Sequence, residues 1–225
     1  MHSLFAGLKP DETAHILGLM PLTGIRRGEH LFHTGDVAES AFILRSGTVK
    51  VSYFNPGGDE KIINIYQAGD LFGHLFLGQY HHRIGTAVAL EDSTAGRLTQ
   101  AVLNQLVTQH PGFALNLVAY LADEQRQTLA RLHALMHLSA RDRLLGTLLH
   151  LARRFCCTHG TWSQLPGCIT QDDIANLACL NRSTVNIHIN ALRETGVLGG
   201  KGRTIVVNSR LVESLLRETG LEILQ

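Results

Sequence analysis

Apolar residues recur along this chain with two different periods, and the change between them divides it. From Gly24 to about Leu98, short runs rich in Val, Ile, Phe and Tyr alternate with Gly28, Gly35, Gly47, Gly57, Gly58, Gly69 and Gly85. That interval predicts an all-β sandwich or barrel. Glu29–His33, Ala41–Leu44, Thr48–Tyr53 and Lys61–Tyr66 are the clearest strands, and Asn55-Pro-Gly-Gly-Asp is a turn by composition. Ahead of them, residues 3–20 read as short helices. Pro10 sits at a helix start, and Asp11 and Glu12 fall in the first turn, where they suit the dipole.

From residue 99 the period becomes helical. Pro111 opens a segment that runs to about His137 with no Pro or Gly after Gly112. Along it Val118, Leu121, Gln125, Thr128, Leu132 and Leu135 alternate spacings of three and four, as the a/d positions of a coiled-coil seam do. Gln125 and Thr128 make the middle of that seam polar. It would either pack on the β domain of the same chain or pair with a second copy. Residues 141–155 form a further amphipathic helix, with Leu144, Leu145, Leu148, Leu149, Leu151 and Ala152 on its apolar side. Thr158 to Gly167 reads as a loop.

Thr170 to Arg193 then reads as two short helices with a break between them. Thr170 is an N-cap, with Asp173 where a capping box wants its carboxylate. Ile174, Leu177 and Ala178 make an apolar face. Cys179-Leu180-Asn181 is the turn, and Asn181 is placed to cap the second helix. Val185, Ile189 and Leu192 face inward, leaving Arg182, Ser183, Asn186 and Asn190 outside. Gly196 ends the helix. Two β-prone runs follow around Gly199-Gly-Lys-Gly-Arg, whose Lys201 and Arg203 can reach a phosphate backbone. The pattern is a winged helix-turn-helix, a DNA-binding unit; the alternative is an ordinary helical hairpin inside a core. Proteins of the first kind usually bind as dimers, which favours the two-copy reading of the seam.

At 225 residues the chain can hold one large domain or two small ones. No apolar run approaches the roughly 18 residues of a membrane span, and Met1-His-Ser-Leu-Phe lacks a signal-peptide pattern, so the expected location is the cytoplasm. The net charge of +1 hides an asymmetry. Residues 1–137 hold 10 Lys/Arg against 12 Asp/Glu, and residues 138–225 hold 10 against 7, so the basic excess lies with the helical hairpin. Cys156, Cys157, Cys168 and Cys179 match no zinc spacing and read as reduced, buried thiols, with a Cys156-Cys157 thiol sensor as the alternative. No nucleophile elbow, Walker loop or HExxH motif appears, which argues against an enzyme.

In this order, a Gly-punctuated β domain, a long helix and a winged helix-turn-helix resemble the Crp/Fnr family of bacterial transcription regulators. The residues that carry the resemblance are Gly35-Asp36, Ser46-Gly47 with Val49-Lys50, Gly69-Asp70-Leu71-Phe72-Gly73, Thr86–Leu90, Thr170–Ala175 and Arg182–Val185. The resemblance implies an α+β protein with three parts. These are a jelly-roll-like β-roll sensor (1–110), a dimerisation helix (111–138) and a winged helix-turn-helix (139–225). It implies a homodimer on a palindromic double-stranded operator, controlled by a small effector, with RNA polymerase as a further candidate partner.

The resemblance also places an effector site at Gly73, His74, Leu75, Arg83, Gly85, Thr86, Ala87, Gln125 and Thr128. In members that bind cyclic AMP, a Glu holding the ribose stands where His74 stands here. An Arg gripping the phosphate stands where Gly85 stands, and Arg83 lies two residues early. Loss of that charge-assisted pair disfavours a cyclic nucleotide. His74 suggests heme instead, since heme-binding relatives carry an axial His nearby and neutral imidazole ligates iron. Phe72, Leu75, Phe76, Leu77 and Tyr80 would line that pocket, and His81, His82 or His2 would be further ligands. A structural histidine is the plainer alternative. The expected DNA contacts are Thr170, Gln171, Arg182, Ser183, Thr184, Asn186, Ile187, Asn190, Lys201 and Arg203. Ile187 stands where relatives place a second Arg, and His188 where a core aliphatic residue is usual.

Overall fold

The structure is a computed structural model that describes residues 4–78, 81–155 and 161–218. His2, Tyr80, Cys156 and Cys157, singled out above, lie outside the described residues. Chain contacts divide the protein into two units, Met1–Arg126 and Gln127–Gln225.

In the first unit the alternating pattern builds two four-stranded antiparallel sheets. The strands are β1 (Leu22–Ile25), β2 (His30–Phe32), β3 (Ser40–Ser46), β4 (Thr48–Phe54), β5 (Glu60–Gln67), β6 (Leu71–Phe72), β7 (Thr86–Ala89) and β8 (Ser93–Thr99). One sheet runs β1-β8-β3-β6 and the other β2-β7-β4-β5. Inward positions of both meet in a core where Phe32, Phe42 and Phe72 stack, with Phe42 and Phe72 centroids 5.5 Å apart and Tyr66 tilted against Phe72. Each such side chain withdrawn from water contributes roughly 1.5–3 kcal/mol. Among the described residues of the stretch 3–20 there is one helix rather than several, α1 (Pro10–Gly18), behind a turn at 4–7.

A second cluster joins α1 to α2 (Gln100–Gln109) and to the start of α3 (Pro111–His137). Phe113, Leu117 and Tyr120 of α3 are buried in it, and Leu121 leans on it. This corrects the seam at one position: Val118, Gln125, Thr128, Leu132 and Leu135 are exposed as expected, while Leu121 is partly buried. Val118, Gln125 and Leu132 also share an exposed a/d row with Leu115, Ala122, Leu129 and Met136. The two rows have Val118, Gln125 and Leu132 in common and the same alternation of three and four, so they are hard to tell apart by spacing when both are apolar.

In the second unit the last turns of α3 are followed by α4 (Ala140–Phe155), whose six expected apolar residues are all buried. The segment expected to be a loop contains β9 (Trp162–Gln164). It pairs with β11 (Val206–Asn208), which also pairs with β10 (Leu198–Gly199). Three residues are too few to show a period, so only pairing reveals β9. Helices α5 (Gln171–Leu177), α6 (Arg182–Glu194) and α7 (Ser209–Glu218) complete the unit. Among the described residues no helix is long and apolar enough to cross a membrane.

Candidate DNA-reading head and effector pocket

The reading head is built by its caps. Thr170 Oγ1 accepts from the Asp173 N–H at 3.1 Å, and Asp173 Oδ2 accepts from the Thr170 N–H at 2.9 Å, closing the expected capping box. Between α5 and α6, Cys179 sits at φ 53° in the left-handed region, so the chain turns within the four residues 178–181. Asn181 takes the N-cap position of α6, but its side chain makes no capping bond. At the other end Val197 donates to Leu192 and Gly196 to Arg193, a Schellman arrangement. With both ends set and Val185, Ile189 and Leu192 buried, α6 presents Arg182, Ser183, Ile187 and Asn190 to solvent. Ile187 is 67% exposed. Thr184, Asn186 and His188 are half-buried, as is Gln171, while Thr170 is exposed.

Two contacts of this head were not anticipated. Arg182 Nη1 lies 3.2 Å from Asp172 Oδ2, a pairing of exposed groups that aims the guanidinium before any DNA is present. Arg193 Nη2 donates to the carbonyls of Gly202 and Thr204 at 3.3 and 3.1 Å, tying α6 to the wing that carries the exposed Lys201 and Arg203. A charge at spacing 182/172 can be suspected from sequence; a side chain serving carbonyls across a loop cannot.

The residues expected to hold an effector do not converge on one open cradle. His74 opens a short 3-10 turn (His74–Leu77) after β6. Its imidazole is turned inward, with Nε2 3.6 Å from Glu124 Oε2 of α3. Asn64 of β5 donates to the other Glu124 oxygen at 3.2 Å. Burial pushes the His74 pKa down to about 4, so the ring is neutral at pH 7 and the contact with Glu124 is not an ion pair. Gly73 precedes it at φ 70°, and a Cβ there would stand 2.8 Å from Arg83 Nη1. Arg83 turns into the sandwich, donating to the carbonyls of Gly73 (2.8 Å) and Ser40 (2.6 Å). Gly85 and Ala87 are buried, a Cβ on Gly85 would lie 3.0 Å from the Ser52 carbonyl, and the Thr86 hydroxyl is engaged with Thr34. Leu75 is half exposed, and Gln125 and Thr128 are exposed on α3.

These positions do not fit a cyclic nucleotide. Position 85 carries no cation, Arg83 is turned toward the Gly73 and Ser40 carbonyls, and His74 and Asn64 both face Glu124. Nor do they fit a porphyrin. Nδ1 of His74 has no partner, as an iron ligand would need, but it is sealed from solvent, and Nε2 faces a carboxylate.

A β-roll joined by a long helix to a winged helix-turn-helix defines the class of DNA-binding regulators with an amino-terminal sensory fold. Residues 23–110 match the cyclic nucleotide-binding domain family and residues 142–213 the Crp-like helix-turn-helix domain family. The cyclic AMP receptor protein of Thermus thermophilus is 31% identical over 213 residues, 94% of this chain and 95% of that one. The fumarate and nitrate reduction regulatory protein of Salmonella typhi is 29% identical over 196 residues, 87% and 78% of the two chains. Of solved structures, FixK2 from Bradyrhizobium japonicum matches with a TM-score of 0.75 at 23% identity, over 87% of this chain and 96% of that one. The catabolite activator protein of Thermus thermophilus matches at 0.55 and 30% identity, over 97% and 99%. The chain belongs to the Crp/Fnr family of transcription regulators, whose members are not enzymes.

Proposed function

We propose that this protein is a cytoplasmic homodimer that reads a palindromic operator, with a small effector in the β-roll shifting the population of DNA-competent dimers. The observation that carries the reading is a pair of uncovered surfaces. One is the exposed row Leu115, Val118, Ala122, Gln125, Leu129, Leu132 and Met136 along α3, at the spacing a parallel helix pair buries. The other is the outward face of α6. On that face Arg182 forks onto a guanine edge or clamps phosphate, and Ser183, Thr184, Asn186 and Asn190 supply hydrogen bonds. Ile187 packs on a thymine methyl. Thr170, Gln171, Lys201 and Arg203 are assigned to phosphates, and RNA polymerase is the partner to which a bound dimer is expected to answer.

The test is a gel shift on palindromic sites whose half-sites lie about one helical turn apart, with sedimentation in parallel. A dimer that retards such a site more strongly than scrambled DNA is expected. A monomer at working concentration, or equal affinity for both DNAs, overturns the reading.

A further inference from the structure

The β-roll has a cavity of 370 Å³ at the edge where β1 and β2, terminal strands of the two sheets, come together. His74 and Asn64 lie instead beside β6 and β5, the terminal strands at the opposite edge. The volume is roughly that of a dozen waters at ~30 Å³ each, room for a small organic molecule. We propose that this cavity binds a free amino acid, its carboxylate toward Arg83 and Arg97 and its ammonium toward Glu29, Asp36 and Glu39.

Arg83 is 7% exposed, and its guanidinium lies 4.3 Å over the Phe32 ring. Its hydrogen-bond partners are two neutral carbonyls, and among the described residues no carboxylate comes within ion-pair distance. A charge taken out of water without a counter-charge is costly, and dipoles and a ring face offset only part of that cost. Arg97 stands beside it and donates from Nε to Ser40 Oγ at 3.0 Å, so two cations converge on Ser40. Arg97 adds to the burial that depresses the Arg83 pKa, while Asp36 opposes it. Buried Arg83 with the buried rings of Phe32 and Phe42 makes the inner wall of the cavity cationic and aromatic, and exposed Arg97 adds a second cation at its side.

Its mouth has the opposite sign. Glu29, Asp36 and Glu39 line the same cavity and are all exposed. Glu29 and Asp36 each spend one oxygen on a backbone N–H, of Arg26 and His33, and Glu39 pairs loosely with Arg97 at 3.8 Å. A plain anion would meet this acidic mouth, and a plain cation the cationic floor. A molecule bearing both charges satisfies each end, and an apolar side chain finds Phe32 and Phe42.

Use of the site to control DNA binding rests on the regulator reading above, but occupancy does not. The experiment is therefore calorimetry on the full-length chain without DNA, with each of the common L-amino acids tried separately. Saturable heat with at least one is expected. For that amino acid, the matching acid without its amino group and the matching amine without its carboxylate should each bind at least tenfold more weakly. Arg97→Gln, at an exposed position whose intact fold circular dichroism certifies, should also bind at least tenfold more weakly. Absence of heat with every amino acid overturns the proposal. Equal binding of the amine-free acid, or of the amino acid to Arg97→Gln, overturns it as well. Failure here leaves the gel shift of the unliganded protein to judge the regulator reading on its own.

Discussion

Tyr120 of α3 and Leu71 of β6 exchange two hydrogen bonds: the phenol accepts from the Leu71 N–H at 3.1 Å and donates to the Leu71 carbonyl at 3.0 Å. Tyr120 is thereby a one-residue substitute for the next strand at the edge of the sheet. It fixes α3 against the turn that carries Gly73 and His74. Tyr120→Phe keeps the ring and strands two backbone groups in a buried place, at about 1–3 kcal/mol. Urea denaturation of the variant should show that loss; an unchanged midpoint would mean water serves the strand edge equally well.

Acid should unfold this protein through two histidines. His74 is held at about 4 by burial. His150 on α4 is held at about 3 by burial and then by Arg154 and Arg131. Both lie below the unfolded value near 6.5, so the unfolded chain binds the extra protons. Stability is complete above pH 6.5 and is lost as pH falls toward 4, by up to roughly 3 kcal/mol for His74 alone. His74→Gln should flatten part of the fall in denaturation midpoint between pH 7 and pH 5. Parallel curves for parent and variant would remove His74 from the account.

The helix-turn-helix turn is strained at one position. Cys179 occupies left-handed backbone space that costs a side-chain-bearing residue about 1–2 kcal/mol. Cys179→Gly removes that strain and should raise the thermal midpoint while leaving DNA affinity in place. A lower midpoint would show that the thiol's packing outweighs the turn.

Arg182→Ala is expected to weaken operator binding by about 1–3 kcal/mol if the guanidinium reads a base. Because Asp172 engages the same group, Asp172→Asn should act in the other direction and tighten binding, most visibly at low salt. Equal losses for Arg182→Ala on operator and scrambled DNA would reduce Arg182 to a phosphate contact.

Leu129→Glu sets a charge in the middle of the exposed row on α3. Sedimentation should then find monomers at concentrations where the parent is paired, with operator affinity falling together with the dimer. Leu121→Glu should instead destabilise the fold, because Leu121 leans on the β-roll's helical cluster.

Much of this was written locally. Strand-and-glycine spacing, the capping box at Thr170 and Asp173, the Cys179 turn and the apolar faces of α4, α5 and α6 depend on neighbours a few residues away. The chain itself declares them, because period and caps are short-range properties. The row on α3 was largely legible: Val118, Gln125, Thr128, Leu132 and Leu135 are exposed as expected, and only the packing of Phe113, Leu117 and Tyr120 drew Leu121 out of it. Strand β9, the Tyr120–Leu71 exchange and the reach of Arg83 to Ser40 join residues far apart in sequence, and Arg193 braces the wing across a loop whose path no local period sets. Arg83 stands beside the expected phosphate position, yet its direction was set by carbonyls at Gly73 and Ser40, which no spacing rule connects. Where a long side chain spends its hydrogen bonds is a property of the folded surroundings, and tertiary structure alone decides it.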